Sequence, residues 1–517
     1  MYFKKIVKIF SVLFLLSVLF LINQTTTPVF ASQANYDLEI IQPRPNLDTT
    51  NRFYKAYPGL EYNVRLAVIG GVYPFYHELT TAPAGMTIDS FTGEINWDDP
   101  TESGSPHTVV AKVTDDEGTE ETVEWTITVT TSGFRFLDAV NGTTRHEGNN
   151  EGSYENPWKS IDDFYLDSKN DDTYAGEFLY FRSGTYYTHD CQDLEISRMA
   201  MIGNNKPRVW LAYPGESPVI DIRGGNRDNR ITFYGTTTHV YFDGFEMQGG
   251  EYNNSIIRWT STAINVVLRR CILDLDNTPG TGSNTSNIMS TNGGSNGYYW
   301  AIQDNIIRNT GGDGAGIMGY LGTKVLVENN IVYNIVSHGI FPKVGCYMWF
   351  IRGNHVADCA TNGINIFLVT TAVVGAGDIE VSYNFIDIDI SRRAISIYQY
   401  PDQHAGPVHA FRNTFIGRFR VAGHIDEDSG PFYIHNNIII NEEGGDKISY
   451  SGTAGDFPER TIAYDNLLGT IADNIVDEEG KLTEAYSEYY GIYGHQTVSS
   501  PMTQELNHPK RLRIIVQ

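Results

Sequence analysis

Asp304-Asn305-Ile306, Asn329-Asn330-Ile331, Gly353-Asn354-His355, Tyr383-Asn384-Phe385, Arg412-Asn413-Thr414, Asn436-Asn437-Ile438 and Asp465-Asn466-Leu467 are successive copies of one small unit within residues 241–468. Each copy ends a strand-like run with an Asn and then an aliphatic or aromatic residue, from which His355 and Thr414 depart. The Asn positions recur every 24 to 30 residues. A repeat of that length with little helical signal reads as one coil of a β-solenoid. A single coil cannot bury its apolar side, whereas a stack of coils can. Runs such as Val325-Leu326-Val327-Glu328 and Ile379-Glu380-Val381-Ser382 send alternate residues inward. An Asn at the turn bonds backbone groups and the Asn of the next coil, and it tolerates left-handed backbone. The seven Asn therefore read as structural.

The flanks and the composition bound the rest. Lys4, Lys5 and Lys8 precede an apolar run from Ile9 to Ile22, and Val29-Phe30-Ala31 offers a cut after Ala31. This is the pattern of a secretory signal peptide over residues 1–31, with an apolar run of about 14 residues that is short for a bilayer span. The mature chain is expected to be secreted, extracellular or periplasmic, with no membrane span. The formal net charge of −25 opposes a nucleic-acid partner but leaves room for a locally basic groove. Of the four cysteines, Cys346 and Cys359 lie half a coil apart; a disulfide and two buried thiols are both open readings.

Residues 35–131 carry alternating strands, among them residues 108–114 and 121–129 joined by the turn Asp115-Asp116-Glu117-Gly118. With no helical period they read as a small β-sandwich. The run Ala82-Pro83-Ala84-Gly85-Met86-Thr87-Ile88-Asp89-Ser90-Phe91-Thr92-Gly93-Glu94-Ile95-Asn96-Trp97 resembles the cadherin-like immunoglobulin modules of bacterial surface and secreted proteins. The expected job of such a module is spacing, shielding one end of the solenoid, or weak glycan contact. Its carboxylates at Asp98, Asp99, Asp115, Asp116 and Glu117 read as solvated turn charge rather than Ca²⁺ ligands.

Further on, Gly152-Ser153-Tyr154-Glu155-Asn156-Pro157-Trp158-Lys159-Ser160-Ile161 leads into a helix expected over 160–166. Arg182-Ser183-Gly184-Thr185-Tyr186 and Ala212-Tyr213-Pro214-Gly215-Glu216-Ser217-Pro218-Val219-Ile220 follow. These runs resemble the opening coils of secreted right-handed parallel β-helix proteins, in which the helix caps the first coil. The fold class is therefore all-β, a β-sandwich followed by a right-handed single-stranded parallel β-helix over 132–490, with a capping tail over 491–517. The resemblance implies little about the reaction, because lyases, hydrolases, epimerases and binding proteins share this scaffold.

Offsets counted back from each Asn suggest a polar stripe on one face. Lys343, Asp402 and Asp426 each lie 11 residues before an Asn, with Asp313, His338, Arg393, His404, His424, Glu427 and Asp428 nearby. Two chemistries use such a stripe. β-Elimination on a uronic-acid glycan needs a base near C5, a cation for the carboxylate and a proton donor for the leaving oxygen. Lys343 is the expected base, with His338 beside it and Arg393 or Arg352 for the carboxylate. Ser337-His338-Gly339-Ile340-Phe341-Pro342-Lys343 resembles the turn-plus-Lys position of β-helical polysaccharide lyases, although their acidic ligands, Lys and downstream Arg do not occur here in that order. Glycoside hydrolysis needs two carboxylates at a set separation, for which Asp402 with Asp426 is the expected pair; the acidic series of polygalacturonase-like hydrolases is not present. Tyr398, Tyr400, His404 and His424 are expected substrate contacts, and Asp313, Glu427 and Asp428 expected Ca²⁺ ligands. A non-catalytic glycan-binding or adhesion protein would keep the aromatics without a proton-transfer pair. A monomer acting on polysaccharide, with no organic cofactor, completes the expectation.

Overall fold

The computed structural model describes residues 35–494, except 45–50, 149–150, 169–175, 189–198, 203–207, 224–230, 235–236, 250–254, 260–261, 277–296, 312–313, 370–375, 402–404, 426–428, 442–447, 453–457 and 490–492. The expected signal peptide and Cys191 lie outside these residues.

The N-terminal module is a small β-sandwich. Strands His107–Thr114 and Glu120–Val129 form an antiparallel hairpin, Tyr76–Thr81 pairs with the first of them, and Tyr62–Arg65 pairs with Glu94–Trp97 on the other sheet. Alternation along Glu120–Val129 buries Val123, Trp125, Ile127 and Val129 and exposes the residues between. In the turn, Asp115 is buried and its carboxylate accepts from the backbone of Val72, Glu117 and Thr119.

From Phe134 the chain winds into a parallel β-helix with three faces. Sheet A has twelve parallel strands, from Phe134–Leu137 to Thr461–Tyr464. Sheet B has eleven, from Gly184–Tyr187 to Leu467–Gly469. Sheet C is described in two runs. Three strands extend from Met199–Ile202 to Ile257–Trp259, and six from Ile317–Gly319 to Ser449–Gly452. Trp158, Trp210, Trp259, Trp300 and Trp349 fill the interior, and helix Ile161–Ser168 closes its start with Ile161 and Phe164 buried against Trp158. Cys271, Cys346 and Cys359 are buried free thiols in the same interior, which decides against a Cys346–Cys359 bridge.

The Asn ladder stands between sheets A and B. From Asn305 to Asn437, each Asn donates its Nδ2 and its backbone N–H to Oδ1 of the next ladder Asn, at 2.9–3.0 Å. Nδ2 also reaches a sheet A carbonyl one coil back, as in Asn384 to Ile351 O at 2.8 Å. One expectation is corrected. The left-handed residue is not the ladder Asn but the one before it, with φ of 59° at Asp304, 56° at Asn329, 56° at Tyr383 and 51° at Arg412. That residue makes the corner, which frees the Asn side chain to point inward.

The two solenoid flanks are covered differently. On sheet B, Ile475, Val476, Leu482, Tyr486 and Tyr493 pack over Ile438, Ile440, Ile416 and Leu467. Thr414 Oγ1 donates to Gly480 O there, and a Cβ on Gly480 would lie 2.4 Å from the Phe385 ring. Phe385, Thr414, Ile438 and Leu467, each the residue after a ladder Asn, face this cover, while His355 stacks on Phe385 at 4.8 Å between ring centres. On sheet A the cover is the N-terminal module. Phe178, Tyr180, Val209, Leu211, Tyr241, Val267, Ala301, Leu326 and Phe350 project outward, are buried, and form one cluster with Phe53, Val64 and Trp125 of the sandwich. Arg65 of the module pairs with Asp304 and, at 2.9 Å, with Glu328; Arg269 reaches Glu94 at 3.0 Å and Asn63 at 2.6 Å. The module is therefore a side wall of the β-helix rather than a spacer or an end cap.

Candidate functional site

With sheet A walled and the later coils of sheet B covered, sheet C presents the outer face to which neither cover is joined among the described residues. Strand alternation sends Ile364, Ile366 and Leu368 inward and Asn365 and Phe367 outward; the next coil repeats this with Ile395 and Ile397 in, Ser396 and Tyr398 out. Parallel register then arranges the outward residues in columns along the helix axis, each coil rising about 4.8 Å. One column runs His338, Asn362, Arg393, Arg418. A second runs Asn365, Ser396, Arg420, Ser449, and a third Phe367, Tyr398, Ala422, Ser451. A bulge between Arg393 and Ile395 shifts the register there.

The face changes character from coil to coil. Towards the earlier coils it is apolar, with Ala315, Met318 and Phe341 buried together beside Tyr320 and Phe367. Tyr398 stacks on Phe367 at 5.0 Å between ring centres, and exposed Tyr400 meets Phe367 edge-on at 6.0 Å. Towards the later coils it is cationic, with Arg393, Arg418 and Arg420.

His338 stands at the boundary. Its ring lies 4.5 Å from that of Phe341. Nδ1 is 3.0 Å from the Asn362 amide nitrogen and Nε2 is 3.3 Å from that of Asn365. Asn362 Oδ1 is buried without a partner. An amide turned end for end has nearly the same shape; in that orientation Nδ1–H donates to Asn362 Oδ1, while Nε2 accepts from the Asn365 amide. Nε2 is then the basic nitrogen of a neutral imidazole. Burial, with Lys343 and Arg393 nearby, lowers the His338 pKa to about 4. Lys343 holds its Nζ 5.0 Å from the centre of the Tyr320 ring and 5.4 Å from that of Phe341. Arg393 is pushed down by burial and then by Arg420, Arg418 and Arg392.

Sheet C thus brings together Lys343, His338, Arg393, Tyr398 and Tyr400 of the expected residues. His424 is exposed just past strand Arg418–Gly423; since Gly423 pairs with Gln399, it lies beside Tyr400. Arg352 is the correction. Expected to bind substrate, it is buried on sheet A, where it bonds Glu328 at 2.8 Å and Val68 O at 2.9 Å. Arg352 falls in the last residue of strand Tyr347–Arg352, and its outward direction meets the module rather than solvent. Asp313, Asp402, His404, Asp426, Glu427 and Asp428 lie outside the described residues. Among the described residues no group of three or more His, Cys, Asp or Glu side chains is arranged to hold a metal. Asn362, Asn365, Phe341, Phe367, Arg418 and Arg420 belong to the same face and escape the offsets counted from the sequence.

Residues 27–130 match the family model described as "Putative Ig domain". No curated protein matches the chain. Among solved structures, the periplasmic alginate epimerase AlgG is similar over 60% of this chain and 82% of its own, at 10% identity and a TM-score of 0.32. A likeness of that size assigns no reaction, and fold alone does not fix chemistry.

Proposed function

We propose that this chain is an extracellular or periplasmic polysaccharide lyase that cleaves a uronic-acid glycan by β-elimination on the outer face of sheet C. The observation that carries the reading is a half-buried His338 whose pKa is lowered to about 4 by burial and then by two cations, Lys343 and Arg393. Abstraction of a proton from C5, next to a carboxylate, needs a base whose lone pair the substrate can reach, so the Asn365 amide 3.3 Å from Nε2 gives way when substrate binds. The negative charge that develops on the carboxylate needs fixed positive groups in a partly dry site. His338 Nε2 takes the base role that the sequence suggested for Lys343. Arg393 neutralises the carboxylate, and Lys343 supplies positive charge and a proton for the leaving oxygen. Phe367, Tyr398 and Tyr400 offer apolar ring surface to the sugars. The cations at hand in the described site are side chains; Ca²⁺ bound through Asp313, Glu427 and Asp428 stays a proposal to be tested by chelation.

Incubation with pectate, alginate, glycosaminoglycans and neutral glycans tests the reading. A lyase yields unsaturated uronate, seen by ultraviolet absorbance, from an acidic glycan, and His338→Gln sharply slows its formation. Reducing ends without unsaturation mean hydrolysis. Inversion at C5 without cleavage means that the abstracted proton is replaced rather than the chain broken. Retained binding with no product means a glycan-binding protein. Any of these three outcomes replaces the lyase reading.

A further inference from the structure

The last coil of the solenoid repeats the others in its strands but not in its burial. It consists of Ser449–Gly452 on sheet C, Thr461–Tyr464 on sheet A and Leu467–Gly469 on sheet B, each the end member of its sheet. Register places Tyr450 after Val421, Ala463 after Ile434 and Leu468 after Ile439 in the columns that fill the interior. Val421, Ile434 and Ile439 are 0%, 0% and 1% exposed, whereas Tyr450 is 39% and Leu468 43% exposed, and Ala463 is exposed with them. On the outer side of sheet A, the rings of Phe411, His435 and Tyr464 stack in line at 5.3 and 4.9 Å, and Tyr464, the last of them, is exposed. Among the described residues the interior is thus closed at its start by helix Ile161–Ser168 and open at its end. An open end leaves apolar area wet and strand edges without partners, which a solenoid covers with a cap.

Position, length and charge point to one occupant. After the last coil the chain covers sheet B and returns to Gly494, whose N–H donates to Asn436 O at 3.1 Å and where a Cβ would lie 2.5 Å from the Ile438 side chain. Residues 495–517 therefore set out one coil from the open end. Extended, residues 495–511 reach up to about 55 Å, several times the length of a four-residue strand. They lead into Leu512-Arg513-Ile514-Ile515-Val516, where Leu512, Ile514 and Val516 alternate with Arg513 and Ile515 in the pattern of a strand with one apolar face. Residues 495–517 carry Lys510, Arg511 and Arg513 against Glu505, whereas residues 458–474 carry Glu459, Asp465 and Asp473 against Arg460. A second copy set end to end would bring those carboxylates against their own kind, while the basic tail meets them with opposite charge.

We propose that residues 512–516 close the solenoid by adding a further strand to the free edge of Thr461–Tyr464, with Leu512, Ile514 and Val516 laid over Ala463 and Leu468. Arg513 then stands on the outer side, where it continues the column of Tyr464 beside Asp465. The occupant of the open end is a segment of the same chain, and the proposal is independent of the reaction on sheet C.

The test is hydrogen exchange on the full chain, read peptide by peptide. Residues 461–464 and 512–516 should both exchange roughly tenfold or more slowly than unstructured peptides of the same sequence. Ile514→Asp should speed exchange in both segments together, and Ile515→Asp, on the other side of the strand, in neither. Unchanged protection of residues 349–351, deep in the stack, checks that the variants stay folded. Rapid exchange of 512–516 in the parent chain would overturn the proposal whatever 461–464 shows, and so would protection of both segments that Ile514→Asp leaves intact. Protection of 461–464 that falls on dilution, with a dimer seen by light scattering, would assign the end to a second copy and overturn it as well.

Discussion

His338 is where environment outweighs identity. An exposed histidine is half protonated near 6.5, but here burial, Lys343 and Arg393 bring the pKa to about 4. A base acts only when unprotonated, so the acidic limb of kcat/KM should lie near pH 4 in the parent protein. Lys343→Met removes a cation that disfavours imidazolium; the limb should then move upward, towards 6.5, though not all the way, because burial is the larger cause. A pH–rate profile of both proteins checks the sign, and a downward or absent shift would show that His338 is not the group observed. His338→Gln should lower kcat/KM by about 10²–10⁴. His338 is legible in the sequence, but its partners are reached only by counting forward. His338 lies eight residues after Asn330, and Asn362 eight after Asn354. Counting back from the following Asn crosses the turns after sheet C, whose lengths differ, and that put Lys343 in line with Asp402 and Asp426.

The ladder is the element that sets coil length. Asn384 accepts from Asn354, donates to Asn413, and caps Ile351 O and Ser382 O, all in the interior. Asn384→Ala would leave several buried groups unpaired, for a loss of about 3 kcal/mol at the typical cost of 1–3 for each such group. Asn466, in the last coil, is part-exposed, and the same change there should cost about 1 kcal/mol. Denaturant melts of the two variants measure the difference, and equal losses would show that the ladder is not energetically graded by burial. The period and the structural role of these Asn follow from sequence because each coil repeats the same local corner. The identity of the left-handed residue does not, since Asp, Asn, Gly, Tyr and Arg all occupy it.

At the scale of the whole molecule, the sandwich and the solenoid share one core. Burial alone would raise the pKa of Glu328; Arg65 from the module and Arg352 from the solenoid overcome that and hold it below the usual carboxylate range. Arg65→Ala leaves a buried carboxylate short of a partner and should cost about 3–5 kcal/mol. Because the apolar wall of sheet A is buried against the sandwich, both parts should melt in one calorimetric transition; two separate transitions would show an independent module. The sequence alone determined that the chain is a sandwich followed by a β-helix, since alternation, turn residues and the Asn period are local and repeat. It also pointed to Lys343, His338, Arg393 and the two tyrosines, which the fold gathers on sheet C. Only the tertiary structure decided which solenoid face is open, because an outward-pointing residue looks the same in sequence whether it meets solvent or another domain. For that reason Arg352 became part of a wall, while Arg418 and Arg420 came to stand on the outer face of sheet C.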